Sequence, residues 1–221
     1  MTVLVTGASR GLGRGLVERA LSDGHKVVAV SRHRSAFDSL AARFAENLSV
    51  VVEGLDNEAS VRKIADHVLA KIGSLDLLIN NAGVLKEGQT GDDLSSSFWL
   101  NSTVPFLLTT ALLPALKKST SPKVVQITSK MGSIDDNTSG GYGAYRASKA
   151  ALNMLTRSLA IDYQDICFLL LHPGWVRTDM GGANAPLSID ESVSGMWKVI
   201  CDHRLEKSGA FVDFMGRSIK W

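Results

Sequence analysis

The sequence predicts a doubly wound α/β fold: a parallel sheet of about seven strands with helices on both faces. Three observations carry this expectation. Short apolar runs alternate with longer segments of helical spacing along all 221 residues. The apolar runs are continuous rather than alternating, which is the pattern of strands covered on both faces. The first run leads into a glycine-rich turn that opens a helix, where such sheets bind nucleotides.

The elements follow in order. Val3–Thr6 is a short apolar run ending at a Gly/Ser turn, and Leu12–Leu21 has helical spacing stopped by Ser22-Asp23-Gly24. Strand Lys26–Val30, helix Ala36–Asn47 and strand Leu48–Val52 come next, then helix Glu58–Lys71 and strand Leu75–Ile79. A long helix is expected from Leu94 to Lys117. Its most apolar part, Val104 to Leu116, is interrupted by Pro105, Thr109, Thr110 and Pro114 and falls short of the ~20 residues that cross a bilayer. It reads as a buried or oligomer-facing helix. Strand Val124–Thr128, an irregular Gly/Ser/Asp/Asn stretch, helix Tyr145–Tyr163 and strand Ile166–Leu171 follow, with helix Glu191–Ile200 and strand Ala210–Phe214 closing the pattern. No Pro/Gly/Ser-rich linker and no repeat divides the chain, so residues 1–221 read as one domain.

Composition excludes several classes. With 45% hydrophobic and 21% charged residues, the chain is neither mainly disordered nor of low complexity. A net charge of +2 without a long basic block points away from nucleic acid and membrane surfaces. Cys167 and Cys201 are too few for a disulfide framework, and the opening MTVLVTGAS is not a secretory signal, so a reduced cytoplasmic setting is expected. The histidines lack metal-ligand spacing, and no metal is expected.

The turn Gly7-Ala8-Ser9-Arg10-Gly11-Leu12-Gly13 has the spacing G-x3-G-x-G. Its glycines would let the backbone approach a pyrophosphate, with the free N–H groups and positive dipole end of the next helix facing the anion. After the second strand comes Ser31-Arg32-His33-Arg34, with no acidic residue to accept from a ribose 2′-hydroxyl. Arg10, Arg32 and Arg34 are available to clamp a 2′-phosphate, the alternative being solvated surface charge, chiefly for Arg34, so NADP(H) is expected over NAD(H).

Tyr145 and Lys149 stand one turn apart on one helical face. A phenol titrates at about 10, and a nearby ammonium would lower that value and ready Tyr145 for proton transfer at a carbonyl or alcohol. Asn80-Asn81-Ala82-Gly83 and Thr128-Ser129 end the fourth and fifth strands, at the crevice where open parallel sheets bind ligands. A strand-end serine there could hydrogen-bond a carbonyl oxygen.

TGASRGLG, NNAG, ITSKMGS, YRASK and HPGWVRTDM, in this order, resemble the short-chain dehydrogenase/reductases over essentially the whole chain. ITSKMGSIDDNTSGGYGAYRASKAALN, LHPGWVRTDMGG and GAFVDFMGRSIKW resemble more narrowly the C-factor/sniffer-like carbonyl reductases. The resemblance implies a Rossmann-type fold and residue roles. Tyr145 would be the acid/base, Lys149 would hold the nicotinamide ribose and lower the tyrosine pKa, Ser129 would position the substrate oxygen, and Asn101 would hold a water in the proton relay. Asn81, Ala82 and Gly83 would line the adenosine ribose. Pro173, Gly174 and Val176 would lie against the nicotinamide, with Thr178 on its carboxamide or a phosphate. A homodimer or homotetramer through the Leu94–Lys117 and Tyr145–Tyr163 helices is also implied.

Three departures stand out. Ser129 and Tyr145 are 16 residues apart, wider than usual for the family, which keeps Ser133 as runner-up for the serine role. Asp56, in Leu55-Asp56-Asn57, is the only match to the family's adenine-contacting aspartate. The segment Asp179–Asp190, where the family carries its lid, is short and Gly/Ala-rich, and an open, shallow pocket is expected. Trp175, Met180 and Trp197 are pocket walls or packing residues, and His172 reads as structural. The function expected is hydride transfer between nicotinamide and a carbonyl or secondary alcohol, chiefly carbonyl reduction. The alternative is a dinucleotide-binding signalling or regulatory protein with little turnover.

Overall fold

Each predicted strand is present and ends within one residue of its apolar run. In the computed structural model, which describes residues 1–221, the strands are β1 (Thr2–Thr6), β2 (Lys26–Ser31), β3 (Leu48–Val52), β4 (Leu77–Asn80), β5 (Lys123–Ile127), β6 (Cys167–His172) and β7 (Ala210–Asp213). The helices are α1 (Gly11–Ser22), α2 (Asp38–Arg43), α3 (Glu58–Lys71), α4 (Gly91–Phe98), α5 (Val104–Leu116), α6 (Gly143–Asp162) and α7 (Ile189–Asp202). All pairings are parallel, in the order β3-β2-β1-β4-β5-β6-β7. The chain winds outward from β1 to β3 and then returns to lay β4 on the other side of β1. That reversal leaves a crevice beyond the carboxyl ends of β1 and β4.

Successive side chains of β1 divide between two cores, because a strand's Cβ atoms alternate in direction. Val3 and Val5 pack on the α1/α7 side with Leu16, Val17, Met196 and Trp197. Leu4 faces Ile64, Leu108 and Leu112 on the α3/α5 side. This two-sided cover is why the strands read as unbroken apolar runs. Burial of each such leucine contributes about 1.5–3 kcal/mol. Truncating Leu108, fully buried, to alanine costs about 2–5 kcal/mol through the cavity it leaves. Thr90 with Asp93 and Ser188 with Glu191 form capping boxes that start α4 and α7, and Asn57 caps α3.

Three expected boundaries are corrected. Leu75 precedes β4: its amide donates to Ala115 O, and sheet pairing begins at Leu77. The helix expected over Ala36–Asn47 is a 3₁₀ turn, Arg34–Phe37, followed by the six-residue α2. The Asn47 and Leu48 amides then turn back onto Phe44 O, so that Asn47 O can accept from Val27 and start the β2–β3 pairing. The Leu94–Lys117 helix begins earlier, at Gly91, and is interrupted by a π-helical turn at Trp99–Thr103 between α4 and α5. Pro105 has no N–H to give the Asn101 carbonyl four residues before it, so regular α-helical bonding fails there. Residues Gly91–Leu116 are long and apolar enough to cross a membrane by composition, yet half of that stretch is buried, and α5 packs on α3, β4 and β5.

Candidate active site

The loops beyond β1 to β6 surround a cleft of about 690 Å³, within the range of about 300–1,000 Å³ usual for small-molecule sites. One end is made of backbone. Thr6, the last residue of β1, accepts from the amides of Asn81 (3.0 Å) and Ala82 (3.1 Å) through its hydroxyl. The Asn81 side chain returns the contact, donating to Thr6 O (2.9 Å) and Gly7 O (3.2 Å). Asn81 thus lines the cleft while its amide is spent holding the glycine turn.

Two glycines are required by this packing. Gly7 has φ +63°, and a Cβ there would lie 2.9 Å from Ala82 Cα. A Cβ on Gly13 would lie 2.3 Å from Gly7 O and 2.4 Å from the Asn81 amide nitrogen. Arg10 begins α1 without capping it, so no side chain satisfies the first-turn amides at that end. A cradle that any side chain would fill, at the positive end of a helix, fits a pyrophosphate.

Ser9, Gly11, Leu12, Ser31, Arg32, Asp56, Ala82 and Gly83 also line the cleft. The Ser31 hydroxyl is engaged with His33, donating to its carbonyl (3.3 Å) and accepting from its amide (3.1 Å). Arg32 is exposed, and Arg10, also exposed, pairs with Asp179 across the cleft. Asp56 is exposed, its carboxylate lying over Gly54, where a Cβ would meet it at 2.3 Å. Sequence reasoning missed Val30, Glu53, Gly54, Leu55, Val84 and Leu100 in this wall. Except for Leu100, they cluster at the ends of β2, β3 and β4, where the strand-end rule that selected Asn81 could have found them.

The other end of the cleft is made of buried side chains. Tyr145 and Lys149 come from the first two turns of α6 and are 8% and 4% exposed. The Lys149 ammonium lies 5.9 Å from the centre of the Tyr145 ring and donates to Ile127 O at 2.8 Å. Ser129 follows β5 and lies near enough to the Tyr145 phenol to favour its ionised form. It also caps the short turn Lys130–Gly132, accepting from Met131 N at 3.1 Å. Asn101, in the π turn, is fully buried: it accepts from Val84 N (2.8 Å) and donates to Val84 O (2.9 Å) and the Ser148 hydroxyl (3.0 Å). Ser148 in turn donates to Tyr145 O at 2.8 Å, which ties the π turn to the start of α6. Thr128, Tyr145 and Lys149 line this end of the cleft, Ser129 adjoins it with a small exposed area, and Asn101 is fully enclosed.

Burial governs the electrostatics here. It pushes the Tyr145 phenol above its ordinary value, and the nearby Ser129 hydroxyl offsets only part of that rise. The expectation that the neighbouring ammonium lowers the phenol pKa is therefore corrected. Lys149 is fully enclosed, burial lowers it to about 8, and its proton is directed at Ile127 O.

Several expected residues take other roles. Ser133 is buried away from the cleft, donating to Trp221 O (3.0 Å) and accepting from Asp136 N (3.1 Å). Gly174 and Val176 do not line the cleft. A Cβ on Gly174 would meet Leu187 and Phe214, and Val176 is buried in a bridge with Leu187. Pro173 and Thr178 do line it, the Thr178 methyl facing Gly11 while its hydroxyl accepts from Gly181 N at 3.1 Å. Met180 is a wall residue. Trp175 is exposed and donates to Gly181 O, whereas Trp197 is buried between α1 and α7 with its indole on Asp23. His172 is held neutral by burial, its pKa lowered to about 4.

Comparison with known proteins agrees with this geometry. The family model for short chain dehydrogenases matches residues 1–186. The C-signal of Myxococcus xanthus is 46% identical over 156 residues, 67% of this chain and 94% of that protein. Among solved structures, the NADPH-bound carbonyl reductase from chicken fatty liver superposes with a TM-score of 0.94 at 37% identity, covering 100% of this chain and 98% of the other. The carbonyl reductase Sniffer of D. melanogaster superposes with a TM-score of 0.93 at 32% identity, covering 100% and 99%.

Proposed function

This chain belongs to the short-chain dehydrogenase family of oxidoreductases, and from that premise we propose that it reduces carbonyl compounds with NADPH. The observation that carries the reading is the Tyr145–Lys149 pair, buried on one face of α6 with Ser129 against the phenol, at the end of a cleft whose other end is a pyrophosphate cradle. The similarity to an NADPH-bound carbonyl reductase supports both the reaction and the cofactor. Residues 1–221 would act as one dinucleotide-binding domain in the cytoplasm.

The glycine turn from Gly7 to Gly13 would hold the pyrophosphate, Arg10 and Arg32 the 2′-phosphate, and Lys149 the nicotinamide ribose. When bound, the reduced nicotinamide supplies a hydride, the chemistry that the protein itself lacks. The chain's own residues do the rest. Ser129 and Tyr145 hold the substrate oxygen, and the raised phenol stays protonated at neutral pH, so Tyr145 has a proton to give as charge develops on that oxygen. Lys149, lowered to about 8, is the acidic ammonium from which that proton is restored. Asn101 keeps Val84 and the start of α6 in register beside it. Exposed Met154 and Ile161 on the outer face of α6 support pairing of two copies through α6 and the α4–α5 helix.

The test is NADPH and NADH titration of the purified protein, followed by a carbonyl panel on the tighter complex. Consumption of NADPH that disappears in Tyr145→Phe while binding persists is the expected result. The 46% identity to a protein named C-signal favours one second reading, a dinucleotide-binding signalling or regulatory protein with little turnover. Tight binding without consumption of either cofactor is the outcome that would favour it.

A further inference from the structure

The loop that carries Ser129 is held from two sides. On one side is α6. The Thr128 hydroxyl donates to Asn153 Oδ1 (2.7 Å), the Asn153 amide donates to Gly132 O (3.3 Å), and a Cβ on Gly132 would lie 2.9 Å from the Lys149 carbonyl carbon. On the other side is the segment after β7. There the Arg217 guanidinium pairs with Asp213 (2.6 Å), Ser218 bridges Val212, and the Ile219 amide donates to Phe211 O (2.9 Å). The Trp221 ring packs on Phe211 at 5.8 Å between centres. So anchored to the edge of the sheet, the Trp221 main-chain oxygen accepts from both the Ser133 hydroxyl (3.0 Å) and the Asp135 amide (2.9 Å), and Lys220 pairs with Asp135 at 3.0 Å.

From this geometry we infer that Ser133 and the segment Arg217–Trp221 form a clamp that sets the position of Ser129 relative to Tyr145, and through it substrate orientation. Ser133 is a positioning residue. The residue is 2% exposed and both partners of its hydroxyl are protein groups, Trp221 O and Asp136 N. The sequence separation of 88 between Ser133 and Trp221 makes this a tertiary contact that braces an otherwise exposed stretch, Ile134–Gly143. Losing it would let Ser129 wander from the phenol, and small misplacements of reacting partners cost rate steeply.

The kinetic consequence rests on the reductase reading, whereas the clamp itself does not, so two readouts are needed. The variants are Ser133→Ala, which removes the donor, and Trp221→Ala, which keeps the main-chain oxygen and removes its anchor on Phe211. Amide hydrogen exchange over residues 129–143 is expected to quicken in both, with exchange in the β1–β4 strands unchanged. Unchanged exchange over 129–143 in both variants would overturn the clamp, whether or not the protein turns over any carbonyl. For positioning, kcat is expected to fall about tenfold in Ser133→Ala, with NADPH Kd unchanged. In a Ser129→Ala background the same substitution should cost almost nothing further. Equal losses in the two backgrounds would sink the positioning role and leave a purely structural one. If the unsubstituted protein consumes no cofactor with any carbonyl, the reductase reading fails and hydrogen exchange alone decides the clamp.

Discussion

The two ends of the cleft are built by opposite means. At the glycine turn the contacts are backbone, and the charged groups around it, Arg10 and Arg32, lie in solvent. At the Tyr145 end every candidate side chain is buried, and three have partners inside the protein: Met131 on Ser129, Ile127 on Lys149, Val84 and Ser148 on Asn101. The second end is therefore organised in advance, with desolvation and hydrogen bonds setting protonation states. The first end has a close-packed cradle and exposed charges. Changes at the buried end should cost rate, and changes at the exposed end should cost affinity and selectivity.

The largest effect should come from Tyr145→Phe. Removing only the hydroxyl takes away the proposed proton donor and leaves a ring that still fills the same space. Turnover of a carbonyl substrate is expected to fall by about a thousandfold, as is usual for loss of a general acid. NADPH binding measured by fluorescence should change by less than about threefold. A comparable loss in binding would erase the contrast between the two ends.

The pH profile sharpens the same contrast. Lys149 is lowered from 10.5 to about 8, so it loses its proton as pH rises through about 8, and reduction needs that proton. In the reductive direction kcat is expected to be level below about 8 and to fall about tenfold per pH unit above it. NADPH Kd should vary less over that range, since guanidinium groups keep their charge throughout it. A kcat that rises with pH would mean that Lys149 serves by being neutral.

What the sequence made legible follows the same division between local and distant causes. Strands buried on both faces write their own pattern, which is why β1 through β7 end where their apolar runs end. The Tyr145–Lys149 spacing is local to one helix and needs no tertiary knowledge. The role of Ser133 was not legible, because its partner Trp221 is distant in sequence and comes to it only through the β7 edge. The direction of the Tyr145 shift was missed for a related reason: spacing places a charge nearby, but only the packed structure reveals how much water the phenol has lost. The π turn lay half-visible in Pro105, which signals a break without saying what fills it. At the exposed end, Arg10 was readable as a cation but not as the partner of Asp179, 169 residues away.

A smaller effect is expected from the arginines. Arg10→Ala with Arg32→Ala should weaken NADPH binding by about ten- to thirtyfold, the scale of two charge-assisted contacts at an exposed phosphate. NADH binding should stay within about twofold, since it offers no 2′-phosphate. Equal losses for both cofactors would show that the pair shapes the cleft rather than reading the phosphate.

The smallest effect tests whether Arg10 is held ready or held back. Its guanidinium pairs with Asp179, and both side chains are about three-quarters exposed (74% and 73%). An ion pair so open to water contributes roughly 0–1 kcal/mol, which bounds any effect at about fivefold. If Asp179 competes with a 2′-phosphate for the guanidinium, Asp179→Asn should tighten NADPH about two- to threefold and leave NADH unchanged. The gain should shrink as salt rises, because added ions screen the competitor as well as the phosphate. If the pair instead holds Arg10 over the cleft in the orientation that the phosphate needs, the same substitution should loosen NADPH. The sign of the change, read from NADPH titrations at low and high salt, therefore decides whether the exposed end carries any preorganisation of its own. We expect tightening, because Asp179 neutralises half of the positive charge that Arg10 and Arg32 would bring to the anion, and an exposed carboxylate is a weaker guide than it is a rival.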